Sequence, residues 1–83
     1  NEINTSVKLP LTISVENSNN IKINQLEEKL SNLDLIYNFY IYKFDNKNNI
    51  YKIIFNGTPD KFIEVMKNNN YEFETVNKIW VMK

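Results

Sequence analysis

Few residues in this chain are equipped for chemistry, and those few are carboxylates and tyrosines. Glu27 and Glu28 are adjacent, Glu72 and Glu74 lie two apart, and Asp45 leads a polar run with Asn46, Asn48 and Asn49. General acid–base work needs two carboxyl groups converging in a pocket that separates their pKa values. Neighbours on a helix diverge, and alternate residues of a strand such as Glu72 and Glu74 point together to water, so neither pair is a catalytic dyad. Asp45 and its amides offer oxygens to a hard cation, but a calcium loop carries more carboxylates and a bidentate Glu, so the run reads as a turn. The chain has neither His nor Cys, which removes the commonest general base, thiolate nucleophiles, disulfides and soft metal ligands. The expectation is a protein that is not an enzyme, with no catalytic residue, no metal ligand and no cofactor.

Ten Lys balance ten acidic residues, and Arg is absent. A neutral domain without Arg lacks both the electrostatic footprint and the bidentate reader that nucleic-acid binding uses. No apolar run approaches the ~20 residues that span a bilayer, so no direct membrane insertion is expected. A protein partner or self-association is left. The abundance of Asn, Ile and Lys, with Ala missing, reflects an AT-rich coding genome more simply than a functional demand.

Eighty-three residues form one domain. The chain starts at Asn1 rather than Met, the expectation being a domain excised from a longer protein, with Asn1–Ser6 a disordered lead-in. The elements pivot on Ile36 to Gly57, where two runs dense in aromatic and β-branched residues, Ile36–Phe44 and Ile50–Phe55, flank the Asp45–Asn49 loop. That pattern predicts a β-hairpin. Upstream, Val7, Leu9, Leu11, Ile13 and Val15 alternate with polar residues, which predicts a half-buried strand. Pro10 cannot donate to a central ladder, so the paired part is placed at Leu11–Glu16, with Val7–Pro10 an extended approach. Ile23, Leu26, Leu30 and Leu33 recur at helical spacing, with Asn20 or Asn24 as the cap and Asp34 in the exit turn. Gly57-Thr58-Pro59-Asp60 predicts a second helix start, and Asn68-Asn-Asn70 its end. Tyr71–Val76 and Ile79–Met82 read as strand, joined at Asn77-Lys78 by a turn or a bulge; the last strand is then a small hairpin of its own.

The order β-α-β-β-α-β predicts an α+β, ferredoxin-like sandwich: a four-stranded antiparallel sheet with two helices on one face. Alternation assigns Phe39, Ile41, Ile53 and Phe55 inward and Tyr40, Tyr42, Lys52 and Ile54 outward, beside Thr12 and Ser14. Tyr37 is placed at the rim of the helix layer and Trp80 in the core. The outward tyrosines are either a docking surface, since Tyr supplies contact area at low entropic cost, or cross-strand pairs that only stabilise the sheet. Ferredoxin-like families with known activities fail on named residues. There is no CxxC for a metallochaperone and no Arg for an acylphosphatase. Ser14 stands where an RNA-recognition motif needs an aromatic, and Asn17–Asn20 lacks the Gly of an amino-acid-sensing turn.

The run Leu11–Asn17, the helix ending Leu30-Ser-Asn-Leu33, the Ile36…Phe39…Ile41 strand, Ile53-Ile-Phe-Asn-Gly57 and the terminal Trp80 together resemble a ferredoxin-like repeat module of uncharacterised secreted or envelope proteins of proteobacteria. The resemblance spans about 70 residues and brings no functional residues with it. It implies a bacterial, exported, multidomain parent in the periplasm or envelope. The function expected is a non-catalytic interaction or structural module, with a small-molecule-sensing regulatory dimer as the alternative.

Overall fold

The computed structural model describes residues 8–83; Val7 and the lead-in Asn1–Ser6 lie outside them. The elements are β1 (Leu9–Glu16), α1 (Asn20–Asn32), β2 (Ile36–Phe44), β3 (Asn48–Phe55), α2 (Pro59–Asn68), β4 (Phe73–Glu74) and β5 (Trp80–Met82).

Alternation sets the central pair. Leu11, Ile13 and Val15 of β1 and Tyr51, Ile53 and Phe55 of β3 are all buried, and the antiparallel register sets Leu11 opposite Ile53 and Ile13 opposite Tyr51. Against this floor α1 buries Ile23, Leu26 and Leu30, and α2 buries Phe62 and Met66, in one continuous core. Both helices therefore lie on one face.

The helix ends are chemically explicit. The Asn19 side chain accepts from the Ile21 and Lys22 amides and caps α1, so the cap is neither Asn20 nor Asn24. Asn17, nearer to β1, instead donates to the Asp45 carbonyl and to Asn49 Oδ1, which leaves Asn19 as the amide at the helix start. Thr58 Oγ1 accepts from the Lys61 amide at 3.1 Å, and Pro59 opens α2 where a missing N–H costs nothing. At the other end Asn70 adopts φ 70°. Tyr71 donates to the Met66 carbonyl and Asn70 to that of Lys67, the paired bonds of a Schellman stop.

The α+β class holds, but the sheet has five strands, not four, in the order β2-β3-β1-β5-β4. It is mixed rather than antiparallel, because β5 runs parallel to β1, with Trp80 opposite Ile13. The ferredoxin-like order is therefore corrected. The strand following α2 does not settle beside β1; the chain turns after Glu74 and returns as β5, which takes that place and leaves β4 at the edge. Trp80 secures the position by packing 6.2 Å from the Phe62 ring, and Phe73 packs 5.7 Å from the same ring. Trp80 is half-buried against the core, as expected of it.

Pro10 is a second correction: it sits inside β1, opposite Ile54. On its other flank β1 is paired only at Ile13 and Ser14, so a missing donor at Pro10 deprives no neighbouring strand. The register also slips between Ile36 and Asn38 and between Ile41 and Lys43. The first bulge puts Ile36, opposite Phe55, on the same face as Phe39, which strict alternation had separated.

Candidate interaction face

The outward side of the sheet follows from the inward one. Because Tyr51, Ile53 and Phe55 point to the helices, Lys52 and Ile54 point away, and the register sets Thr12 and Tyr40 on either side of Lys52. Tyr42 joins them despite the bulge, since Lys52 Nζ lies 4.8 Å from its ring centroid. Lys43 Nζ approaches the same ring at 6.0 Å. Tyr40 and Tyr42 are 50% and 56% exposed; Lys52 and Ile54 are half-buried. The structure thus brings together Tyr40, Tyr42, Lys52 and Ile54, and among the described residues no element covers them.

Charge is distributed unevenly over this side. Lys43 and Lys52 border the tyrosines. Toward the far edge come Val81, paired with Ser14, and Glu74, paired with Val81. A cation over an aromatic face in partly dry surroundings contributes about 0.5–2 kcal/mol, so Lys52 both orients Tyr42 and leaves an ammonium at the surface.

Phe39 lies inward as expected, and Ile41 is inward in direction but not in burial. Phe39 is half-buried, its ring centroid 6.4 Å from that of Tyr51. Ile41 lies opposite Tyr51 on the helix side yet is 44% exposed, because the helices cover the central strands and stop short of the distal half of β2. Tyr37 is 45% exposed, and its ring centroid lies 5.4 Å from Lys8 Nζ.

The carboxylates are dispersed. Glu27 accepts a 2.6 Å hydrogen bond from the Tyr51 hydroxyl, whereas Glu28 is exposed. Asp45 Oδ1 accepts from the Lys47 and Asn48 amides, and these two backbone bonds, that of Lys47 foremost, hold its carboxyl below the usual value. The oxygen is engaged in closing the hairpin. Among the described residues no three His, Cys, Asp or Glu side chains converge on a common point. Sequence reasoning gave Tyr51 no role, although Ile53 and Phe55 fixed its direction. Burial pushes its hydroxyl up to about 12, and the Glu27 carboxylate reinforces the shift.

The groove lined by Gln25, Glu28, Lys29, Asn32 and Tyr71 has a volume of about 380 Å³, and most of those side chains are polar and exposed. No helix of the described residues is long and apolar enough to cross a membrane. Comparisons of the chain with protein-family models, curated proteins and solved structures return no match.

Proposed function

We propose that this chain is a non-catalytic protein-interaction module of a larger, exported protein, and that it docks through the open face around Tyr40, Tyr42, Lys52 and Ile54. The observation that carries the reading is the pair of half-exposed tyrosines flanking Lys52 on a side of the sheet that no element of the described residues covers. Such a surface fits a protein partner that offers apolar area to the rings and a carboxylate to the Lys43 and Lys52 ammonium groups. A small-molecule-sensing dimer is the weaker reading, since ligand sites are concave and mostly apolar and the groove beside α1 is walled by polar side chains.

The test is site-specific photo-crosslinking in the native cell. A benzophenone amino acid replaces Tyr42 or Lys52 in turn, and Glu28 on the exposed side of α1 serves as control. Discrete protein adducts from the two sheet positions and none from Glu28 are the expected result. No adduct from the sheet face, or equal yields from all three positions, overturns the reading.

A further inference from the structure

The strand Ile36-Tyr-Asn-Phe-Tyr-Ile-Tyr-Lys-Phe44 contains neither Pro nor an acidic residue and a single Lys. It is the most aromatic segment of the chain, and the strand order leaves it at an edge of the sheet. An edge strand presents unpaired N–H and C=O groups, and natural edges are usually kept short or charged. The opposite edge obeys that rule, since β4 has two residues. The β2 edge does not: it is nine residues long, and Tyr40, Ile41, Tyr42 and Phe44 are 50%, 44%, 56% and 74% exposed.

The side-chain directions along this edge are symmetric about Tyr40. Ile36, Phe39, Ile41 and Phe44 oppose Phe55, Ile53, Tyr51 and Asn49 on the helix side, whereas Asn38, Tyr40 and Lys43 oppose Ile54, Lys52 and Ile50 on the open side, where Tyr42 also lies. We propose that β2 pairs antiparallel with β2 of a second copy of this chain, about a two-fold axis at Tyr40, joining two five-stranded sheets into one. In this register Phe39 faces Ile41 of the partner subunit and Ile36 faces Phe44 of the partner subunit, all on the helix side. Asn38 faces Tyr42 of the partner subunit on the open side. Lys43 faces Tyr37 of the partner subunit, a cation against a ring. The two lysines then stand six positions apart, about 20 Å, so the only charges on the strand do not oppose one another.

The two bulges make the register selective. Centring the pair on Phe39 sets Ile36 opposite Tyr42, and centring it on Ile41 sets Phe39 opposite Lys43. Either choice matches a helix-side residue with an open-side one, a mismatch the pleat does not tolerate. The same symmetry favours a second copy over a foreign strand, since Ile36, Asn38, Phe39, Tyr40, Ile41, Tyr42 and Phe44 each meet a same-sided residue of their own sequence.

This inference rests on the interaction-module reading and goes beyond it, since the pairing uses the β2 edge rather than the open face. The test uses the purified 83-residue chain. Sedimentation from micromolar to millimolar concentration should show a reversible monomer–dimer equilibrium. Hydrogen exchange of the unsubstituted chain should show protection across residues 38–42 that rises with concentration. Mild oxidation of Tyr40→Cys should give a disulfide-linked dimer, because residues on the axis face each other within bridging distance. Asn38→Cys and Tyr42→Cys should each link poorly alone and efficiently when mixed. A chain that stays monomeric with unchanged β2 exchange overturns the proposal, as does a dimer in which Tyr40→Cys fails to link. A monomer that still crosslinks through Tyr42 in the cell leaves the module reading standing with a different protein as its partner.

Discussion

The Tyr51 hydroxyl donates to Glu27 Oε2 at 2.6 Å, tying the centre of β3 to α1. Tyr51 is fully buried, and its oxygen also lies 3.5 Å from Asn49 Nδ2. Asn49 in turn accepts from Asn17 Nδ2 at 3.0 Å. A hydrogen bond to a charged acceptor contributes about 1.5–3 kcal/mol. Tyr51→Phe should therefore destabilise the chain by about 2 kcal/mol in urea unfolding, more than Glu27→Gln, which keeps an acceptor for the hydroxyl.

The same bond sets a pH dependence. A phenol whose folded pKa rises from 10.0 to about 12 holds its proton in the folded chain after the unfolded chain has released it. Its contribution is complete below pH 10 and is lost as pH climbs toward 12. The thermal midpoint should fall more steeply over that window in the unsubstituted chain than in Tyr51→Phe, and absorbance titration of Tyr51→Phe should lack the phenol whose pKa is about 12. Equal slopes for the two proteins would remove this role for Tyr51.

Phe62 is the hinge pin of the C-terminal half. Its ring meets Phe55 edge-on at 5.2 Å, Phe73 at 5.7 Å and Trp80 at 6.2 Å. Truncating a buried aromatic costs about 3–5 kcal/mol, a large part of the 5–15 kcal/mol typical of a domain. Phe62→Ala should unfold most of the chain near body temperature. Where it stays folded in the cold, Trp80 fluorescence should shift red before the far-ultraviolet circular dichroism changes, because β4 and β5 depend on this contact more than β1 and β3 do.

The elements that carry their own local chemistry were legible in the sequence. Thr58 and Pro59 marked the start of α2, Asn70 its end, and the alternation from Leu11 to Val15 the inward face of β1. The open face was legible too, because Lys52 and Ile54 are opposite in phase to Ile53 and Phe55. What escaped depends on neighbours distant in sequence. Nothing local to Tyr37 or Tyr42 announces a bulge, since neither is Gly and both suit a strand, so strict alternation from Phe39 puts Ile36 on the wrong side. The place beside β1 goes to β5 through the pairing of Trp80 and Val81 with Ile13 and Ser14, much earlier in the chain. Pro10 was judged against a fully paired central strand, whereas β1 is paired on one flank only at that point.

Gly57 is where the backbone leaves no alternative. Its φ is 157°, and a Cβ built there would stand 2.8 Å from the Phe55 ring. Phe55 is fully buried and cannot swing aside without opening the core. Gly57→Ala should cost about 1–3 kcal/mol, more than Thr58→Ala, which loses a cap of about 1 kcal/mol. Chemical denaturation of both variants gives the ranking, and the reverse order would show that the cap outweighs the glycine.

Tyr40 and Tyr42 separate docking from stability. Their neighbours are cross-strand residues and two lysines rather than the helices, so replacing both by Ala removes contacts of about 0.2–1 kcal/mol each and the ring beneath Lys52. A loss near 1 kcal/mol lowers the thermal midpoint of a chain this size by about 4–8 °C. The double variant should therefore remain folded at room temperature, with Trp80 fluorescence unchanged and binding through the open face abolished. A midpoint collapse comparable to that of Phe62→Ala, with association intact, would make the two rings part of the sheet's own packing and move the docking surface elsewhere.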